Sequence, residues 1–507
     1  MKRPTLIALF VCLTSLLLAS QSNPGVAHPP SIARSGRAAS QEQGPLFASA
    51  ETLPVFGSPT AAVGDLNGDG KPDLAVAIFG GNTGTVDVFL GNGDATFTMF
   101  GEYGSGAVDP NSVQLADLNG DGKLDMVVLN CSTDEPGNCA ADTDGVVSIF
   151  LGNGDGTFQA PILSDAGAKG PVRVLVADLN LDGKPDLLVQ LQQGGFGVML
   201  GNGDGTFQPP SFTAGYGSLS LADLNGDGIP DLLLGAFQGR SVSVLLGKGD
   251  GTFVFSGSFP LSESVIDAVV ADLDGDGRLD MITLTYDAAK TANYVSTLKG
   301  NGDGTFQPQV RYPKLSAFED NSSHLAVADL NADGALDVVV AGFKLHVGNG
   351  ELTVLLNKGN GKLGKAVIYD AGGFDTNSTT IADLNGDGRP DLVTTGFGSS
   401  NVGILLNIGP YTTSAVLASS LNPSTQGQAV TFTATVGSPG GAPPDGETVI
   451  FKKGTKVLGK ATLSAGTASL TTSKLKVGTT AISAVYGGDS SFGQSLSNII
   501  EQIVNQK

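Results

Sequence analysis

Along most of this chain, short runs of Val, Leu, Ile, Ala and Phe alternate with clusters of Gly, Asn and Asp. Runs this short, rich in β-branched residues and bounded by turn formers, predict strands rather than helices. They come in groups of four. An apolar run such as SVQLA or SLSLA leads into an Asp-rich loop, and a second run follows directly, as in DLAVAIF or DMVVLN. A third run ends in a turn of the type GNGDGTF, which opens a fourth. Asn-Gly and Asp-Gly between apolar runs signal hairpins, because both residues tolerate positive φ. The GNGDGTF-type turns fall at 91–97, 152–158, 201–207, 247–253, 300–306 and 357–363. The unit is therefore four antiparallel strands in about 50 residues. One such sheet cannot bury both of its faces, whereas several stacked radially can.

The Asp-rich loop recurs seven times, its copies starting at Asp65, Asp117, Asp178, Asp223, Asp272, Asp329 and Asp383. The expected fold is an all-β, seven-bladed β-propeller over residues 45–410. Its seventh repeat ends at VGILLNIGPY without a fourth strand, and the segment PLFASAETLPVF at 45–56 is expected to supply it, closing the ring and removing two sheet edges. Residues 411–507 lack the Asp loop and show alternating strands with turns every 8–12 residues, which predicts a β-sandwich.

The loop pattern D-x-[N/D]-x-D-G-x-x-D points to calcium, which takes six to eight oxygen ligands. Positions 1, 3, 5 and 9 offer side-chain oxygens, position 6 is the glycine of a sharp turn, and position 7 offers its carbonyl. The expected ligands are Asp65, Asn67, Asp69 and Asp73; Asp117, Asn119, Asp121 and Asp125; Asp178, Asn180, Asp182 and Asp186; Asp223, Asn225, Asp227 and Asp231; Asp272, Asp274, Asp276 and Asp280; Asp329, Asn331, Asp333 and Asp337; and Asp383, Asn385, Asp387 and Asp391. Turn formation alone would explain one copy, but seven sets of mutually repelling carboxylates require compensation. An EF-hand is excluded, because position 12 is Val, Leu or Thr rather than Glu, and a strand follows where a helix would be needed.

Charge changes the picture in one respect. The net charge of −21 excludes nucleic acid and anionic membrane as main partners, and the 22 loop carboxylates account for nearly all of it. The N-terminus reads as a secretory signal over 1–27, with Lys2 and Arg3 before an apolar run too short to span a bilayer. Cleavage is expected after Ser20 or Ala27, followed by a flexible linker at 28–44. No later segment reaches transmembrane length. Cys131 and Cys139 are expected to pair in an oxidising compartment, the alternative being two separate thiols.

The repeated motif with its strand context resembles the FG-GAP repeats of integrin α-subunit propellers and the VCBS repeats of bacterial secreted proteins. The ending AVYGGDSSFGQSLS resembles bacterial Ig-like (group 3) domains, which act as spacers or adhesion modules. The resemblance implies about seven calcium ions, each between the first and second strands of a blade, and a ligand on the opposite face. That face would carry the insertions at 130–145 and 286–294, together with Tyr103, Tyr216, Tyr312, Phe237, Phe318, Phe343, Phe374 and His346. The function so implied is that of a secreted, monomeric binding or adhesion protein of the extracellular space, bacterial surface or periplasm, with a carbohydrate or protein ligand and structural calcium. The alternative is a propeller-scaffold enzyme such as a polysaccharide lyase or hydrolase. Its acid–base groups could be drawn from Arg173, Arg240, Glu263, Arg311, Glu319, Asp320, His324 and His346, but no catalytic spacing singles any of them out.

Overall fold

The computed structural model describes residues 46–507 other than 81–83, 133–143, 193, 216, 236–238, 316–323, 344–349, 374–375, 397–399, 412, 439–440 and 490–491. Every regular element among the described residues is a strand, as the short apolar runs require.

The first 350 or so described residues form seven four-stranded antiparallel sheets. The first consists of Ser58–Gly64, Asp73–Phe79, Thr85–Gly91 and Phe97–Gly104, paired in chain order. Five more follow the same up-and-down order. The seventh takes Thr376–Ala382, Asp391–Gly396 and Asn401–Leu405 from its own repeat, and its fourth strand is Glu51–Pro54. There Glu51 lies opposite Ile404 and Leu53 opposite Val402.

Burial divides the strands into two kinds. Second strands such as Asp73–Phe79, Asp231–Gly235 and Asp391–Gly396 are buried almost throughout, since each sheet is covered on both faces by its neighbours. Fourth strands such as Phe97–Gly104 and Val367–Asp370 lie outermost and are mostly exposed. An apolar cluster fills each space between consecutive sheets. Another joins the seventh to the first, with Val393 and Val402 against Leu74 and Val76. These contacts make the array a propeller-type fold.

The C-terminal residues form a two-sheet sandwich. Ser414–Ser419, Val430–Gly437 and Thr467–Thr472 make one sheet, and Thr448–Lys453, Lys456–Thr462, Gly478–Tyr486 and Ile500–Asn505 belong to the other. Phe432, Phe451, Ile482 and Tyr486 are among the buried residues between them. Ser414–Ser419 and Ile500–Asn505 are strands that the sequence pattern did not single out.

Candidate calcium-loop face

In an up-and-down sheet the loop after the first strand and the turn after the third leave from the same edge. The Asp loops and the GNGDGTF turns therefore share one edge of the array, and the remaining loops occupy the other.

All seven Asp loops share the internal hydrogen bonds of positions 1 and 5. The position-1 carboxylate accepts the amides of positions 5 and 6; in the first loop Asp69 N lies 3.1 Å from Asp65 Oδ1, and Gly70 N lies 2.8 Å from Asp65 Oδ2. Those bonds recur in the other six loops. The position-5 carboxylate accepts the amide of position 7, as Asp69 Oδ1 does from Lys71 at 2.9 Å. The glycine at position 6 has φ near +80° throughout, from Gly70 to Gly388, a conformation that a side chain would strain. Leu181 and Ala332 tolerate positive φ at position 4, where the other five loops carry Gly.

The position-9 carboxylate has a second task that the motif alone did not reveal. Asp73 is fully buried, and it accepts Leu66 N at 2.8 Å through Oδ2 and Gly91 N at 2.7 Å through Oδ1. Asp125, Asp186, Asp231, Asp280, Asp337 and Asp391 do the same. In the first six sheets each thereby ties its loop to the turn between the third and fourth strands, and in the seventh Asp391 ties its loop to Asn407 just past the third strand. Burial pushes the carboxyls of Asp73, Asp125, Asp186, Asp231 and Asp280 above the usual range, Asp391 to about 6 and Asp337 to about 8, while the two amides oppose the rise.

The buried leucine at position 2, which sequence reasoning passed over, links neighbouring sheets. The carbonyl of Leu66 accepts Gly156 N of the second sheet at 2.9 Å, and Leu179, Leu224 and Leu273 accept Gly251, Gly304 and Gly361 in the same way. Further round, Asn407 Nδ2 donates to Leu330 O at 2.7 Å. The invariable Asp-Leu at the head of each motif was the available signal. In the GNGDGTF turns, Thr hydroxyls and amides donate to Asp94, Asp155, Asp204, Asp250 and Asp303 and hold those carboxyls below the usual range.

The donor set fits a hard cation. It consists of oxygens only, backbone amides orient the position-1 and position-5 side chains in every loop and the position-3 asparagine in six of them, and oxygens such as Asp65 Oδ2, Asn67 Oδ1 and Asp69 Oδ1 keep a lone pair beyond the one bond each accepts. Asp272, Asp274 and Asp276 bring carboxylate oxygens within 4.8 Å of one another.

Residues expected on the opposite edge divide differently. Tyr103 stacks edge-on against Phe150 and Phe158 at 6.3 and 5.5 Å, and Tyr312 donates to Gly361 O at 2.9 Å, so both rings pack between sheets. Arg173 is fully buried and donates to Leu219 O at 2.8 Å. His324 lies 3.5 Å from Asp267, a buried acid that the sequence reading did not name, and Asp267 also accepts Leu325 N at 3.0 Å. Glu263 pairs with Arg311, whose guanidinium lies 4.4 Å over the Tyr294 ring. These contacts bind sheets or strands to each other. Tyr216, Phe237, Phe318, Glu319, Asp320, His346 and Phe374 lie outside the described residues, as do the side chain of Phe343, the signal and linker segments, and Cys139; Cys131 is disulfide-bonded.

Fold and edge together define an all-β propeller-type repeat protein with an acidic turn at the head of each repeat. The chain belongs to the FG-GAP-like repeat family, which matches residues 65–128, 139–189, 178–234, 223–283, 287–340 and 329–394. A bacterial Ig-like domain (group 3) matches residues 417–505. No curated protein matches the chain. Among solved structures, BBS1N, from a crystal structure of its complex with ARL6DN soaked with lead, is 12% identical with a TM-score of 0.46, covering 71% of this chain and 97% of its own. A putative 6-phosphogluconolactonase from Bacteroides uniformis is 13% identical with a TM-score of 0.46, covering 64% of this chain and 88% of its own.

Proposed function

We propose that this chain is a secreted binding or adhesion module, a closed seven-bladed ring over residues 45–410 stiffened by calcium along one edge and binding a carbohydrate or protein on the other. The observation that carries this reading is the sevenfold recurrence of one oxygen-lined loop. Its side chains are oriented by backbone amides, and its carboxylates have no matching number of cations in a chain of net charge −21. In the first loop Asp65, Asn67, Asp69, Asp73 and the Lys71 carbonyl would hold the ion. Bound calcium supplies positive charge that relieves repulsion among the carboxylates. The chain itself orients the oxygens and anchors each loop to the backbone at the end of the third strand of its own sheet.

The opposite edge suits a ligand because its connections differ in length from sheet to sheet while the Asp loops do not. The Ig-like domain and the apolar N-terminus of the sequence favour a place outside the cytoplasm. Among the described residues no helix is long and apolar enough to cross a membrane.

Removing calcium with EDTA should lower the melting temperature by about 10 °C or more, since a ligand that binds only the folded state stabilises it by mass action; an unchanged melting curve defeats the calcium reading. Calcium-dependent retention on a glycan or extracellular-protein array supports the binding reading. Turnover of the same polymers would instead favour an enzyme.

A further inference from the structure

The fifth loop departs from the other six at two positions at once. Position 3 is Asp274, where the others carry Asn67, Asn119, Asn180, Asn225, Asn331 and Asn385. The residue at the end of the third strand, just before the Gly-rich turn, is Lys299, where the others carry Leu90, Leu151, Leu200, Leu246, Leu356 and Leu406. These two departures meet in space. The Lys299 ammonium pairs with Asp274 Oδ2 and lies 3.1 Å from Asp276 Oδ2.

The pairing changes the loop. In the six others the position-3 side chain folds back to accept the position-5 amide, as Asn67 Oδ1 does from Asp69 N at 2.8 Å. The same bond is made by Asn119, Asn180, Asn225, Asn331 and Asn385. Asp274 makes no such bond, and its Oδ1 is buried and accepts no hydrogen bond among the described residues. Its Oδ2 engages the Lys299 ammonium in place of that amide. The leucines at the equivalent position pack into the apolar clusters between sheets. Lys299 instead turns toward its own Asp loop.

We propose that Lys299 is a built-in counter-ion for the fifth loop, so that this loop folds without calcium and binds it at least tenfold more weakly than the other six. The inference rests on the calcium reading of the remaining loops. A lysine ammonium delivers one positive charge with three donors and no need for a closed oxygen shell. It satisfies the extra carboxylate at position 3 as well as position 5, which explains why the two departures occur together.

The test is calcium stoichiometry of the full chain after EDTA stripping, by equilibrium dialysis and isothermal titration calorimetry. Six strong sites are expected, and Lys299→Leu should show a seventh, strengthened by the fourth carboxylate left in the loop. Should that variant fold poorly, Asp274→Asn with Lys299→Leu restores the pair found in the other sheets and should also bind seven. Seven equivalent sites in the unaltered chain, or six in both well-folded variants, overturn the inference while leaving the calcium reading intact. No binding by any of the proteins overturns both.

Discussion

At the scale of single residues, the chain buries the position-9 carboxylate of each Asp loop and supports it with two backbone amides. Asp186 is fully buried and holds two backbone amides, at 2.8 and 2.7 Å. Asp186→Ala would leave both amides unsatisfied and should cost about 2–4 kcal/mol. The loss should persist in EDTA, because it does not depend on a metal, and urea unfolding with and without calcium checks it. Asp87 shows the opposite situation. It lies directly across from Glu102 in the first sheet, and burial with that like charge pushes its carboxyl up to about 6. A raised folded-state pKa means that the ionised form is the destabilised one. The cost is therefore absent below the ordinary carboxylate range and fully present above pH 6. Asp87→Asn should stabilise the protein by about 1–2 kcal/mol at pH 7.5 and have no stabilising effect near pH 4, as read by chemical unfolding at the two pH values.

At the scale of elements, the strand Glu51–Pro54 is the most informative. Its own side chains are largely exposed, so its contribution is the ladder it offers to Asn401–Leu405. Around it, Leu46, Phe47 and Val55 are buried against the sixth and seventh sheets and the first. Deleting residues 1–56 would uncover both an apolar surface and an unpaired edge, a template for association with a second chain. The truncated protein should melt lower and self-associate, measured by calorimetry and light scattering; a monomer with an unchanged melting point would show that the strand is dispensable. The linkage between the Asp loops and the next sheet's turns acts at this scale too, since Leu66 connects through its amide to Asp73 and through its carbonyl to Gly156.

At the scale of the whole molecule, the sandwich does not hang free of the propeller-type array. Tyr411 is buried in the sandwich core beside Phe492, its hydroxyl donates to the Asp387 carbonyl of the seventh Asp loop, and Arg389 stacks over its ring at 3.9 Å. Ala332 of the sixth loop packs on the same core. The double variant Arg389→Ala with Tyr411→Phe removes the stacking and the hydroxyl bond, about 1–2 kcal/mol together. It should broaden the small-angle scattering distance distribution without unfolding either part. The repeat, the all-β class and the glycine-dependent turns were legible along the chain, because each rests on contacts within about ten residues and recurs often enough to be read by comparison of copies. The division of strands into doubly covered and outermost ones came from the structure, with uninterrupted apolar runs such as DLAVAIF as its unused signal. Other features depended on distant residues meeting: the double duty of Asp73 and its equivalents, the packing of Tyr103 and Tyr312 between sheets, the Asp267–His324 contact, and the seat of Tyr411 on the seventh loop. Lys299 and Asp274 stand 25 residues apart, and only the pairing of strands brings the ammonium to the carboxylate. Local chemistry could be read along the chain because backbone geometry is short-ranged, whereas which carboxylate meets which cation was decided by packing between elements.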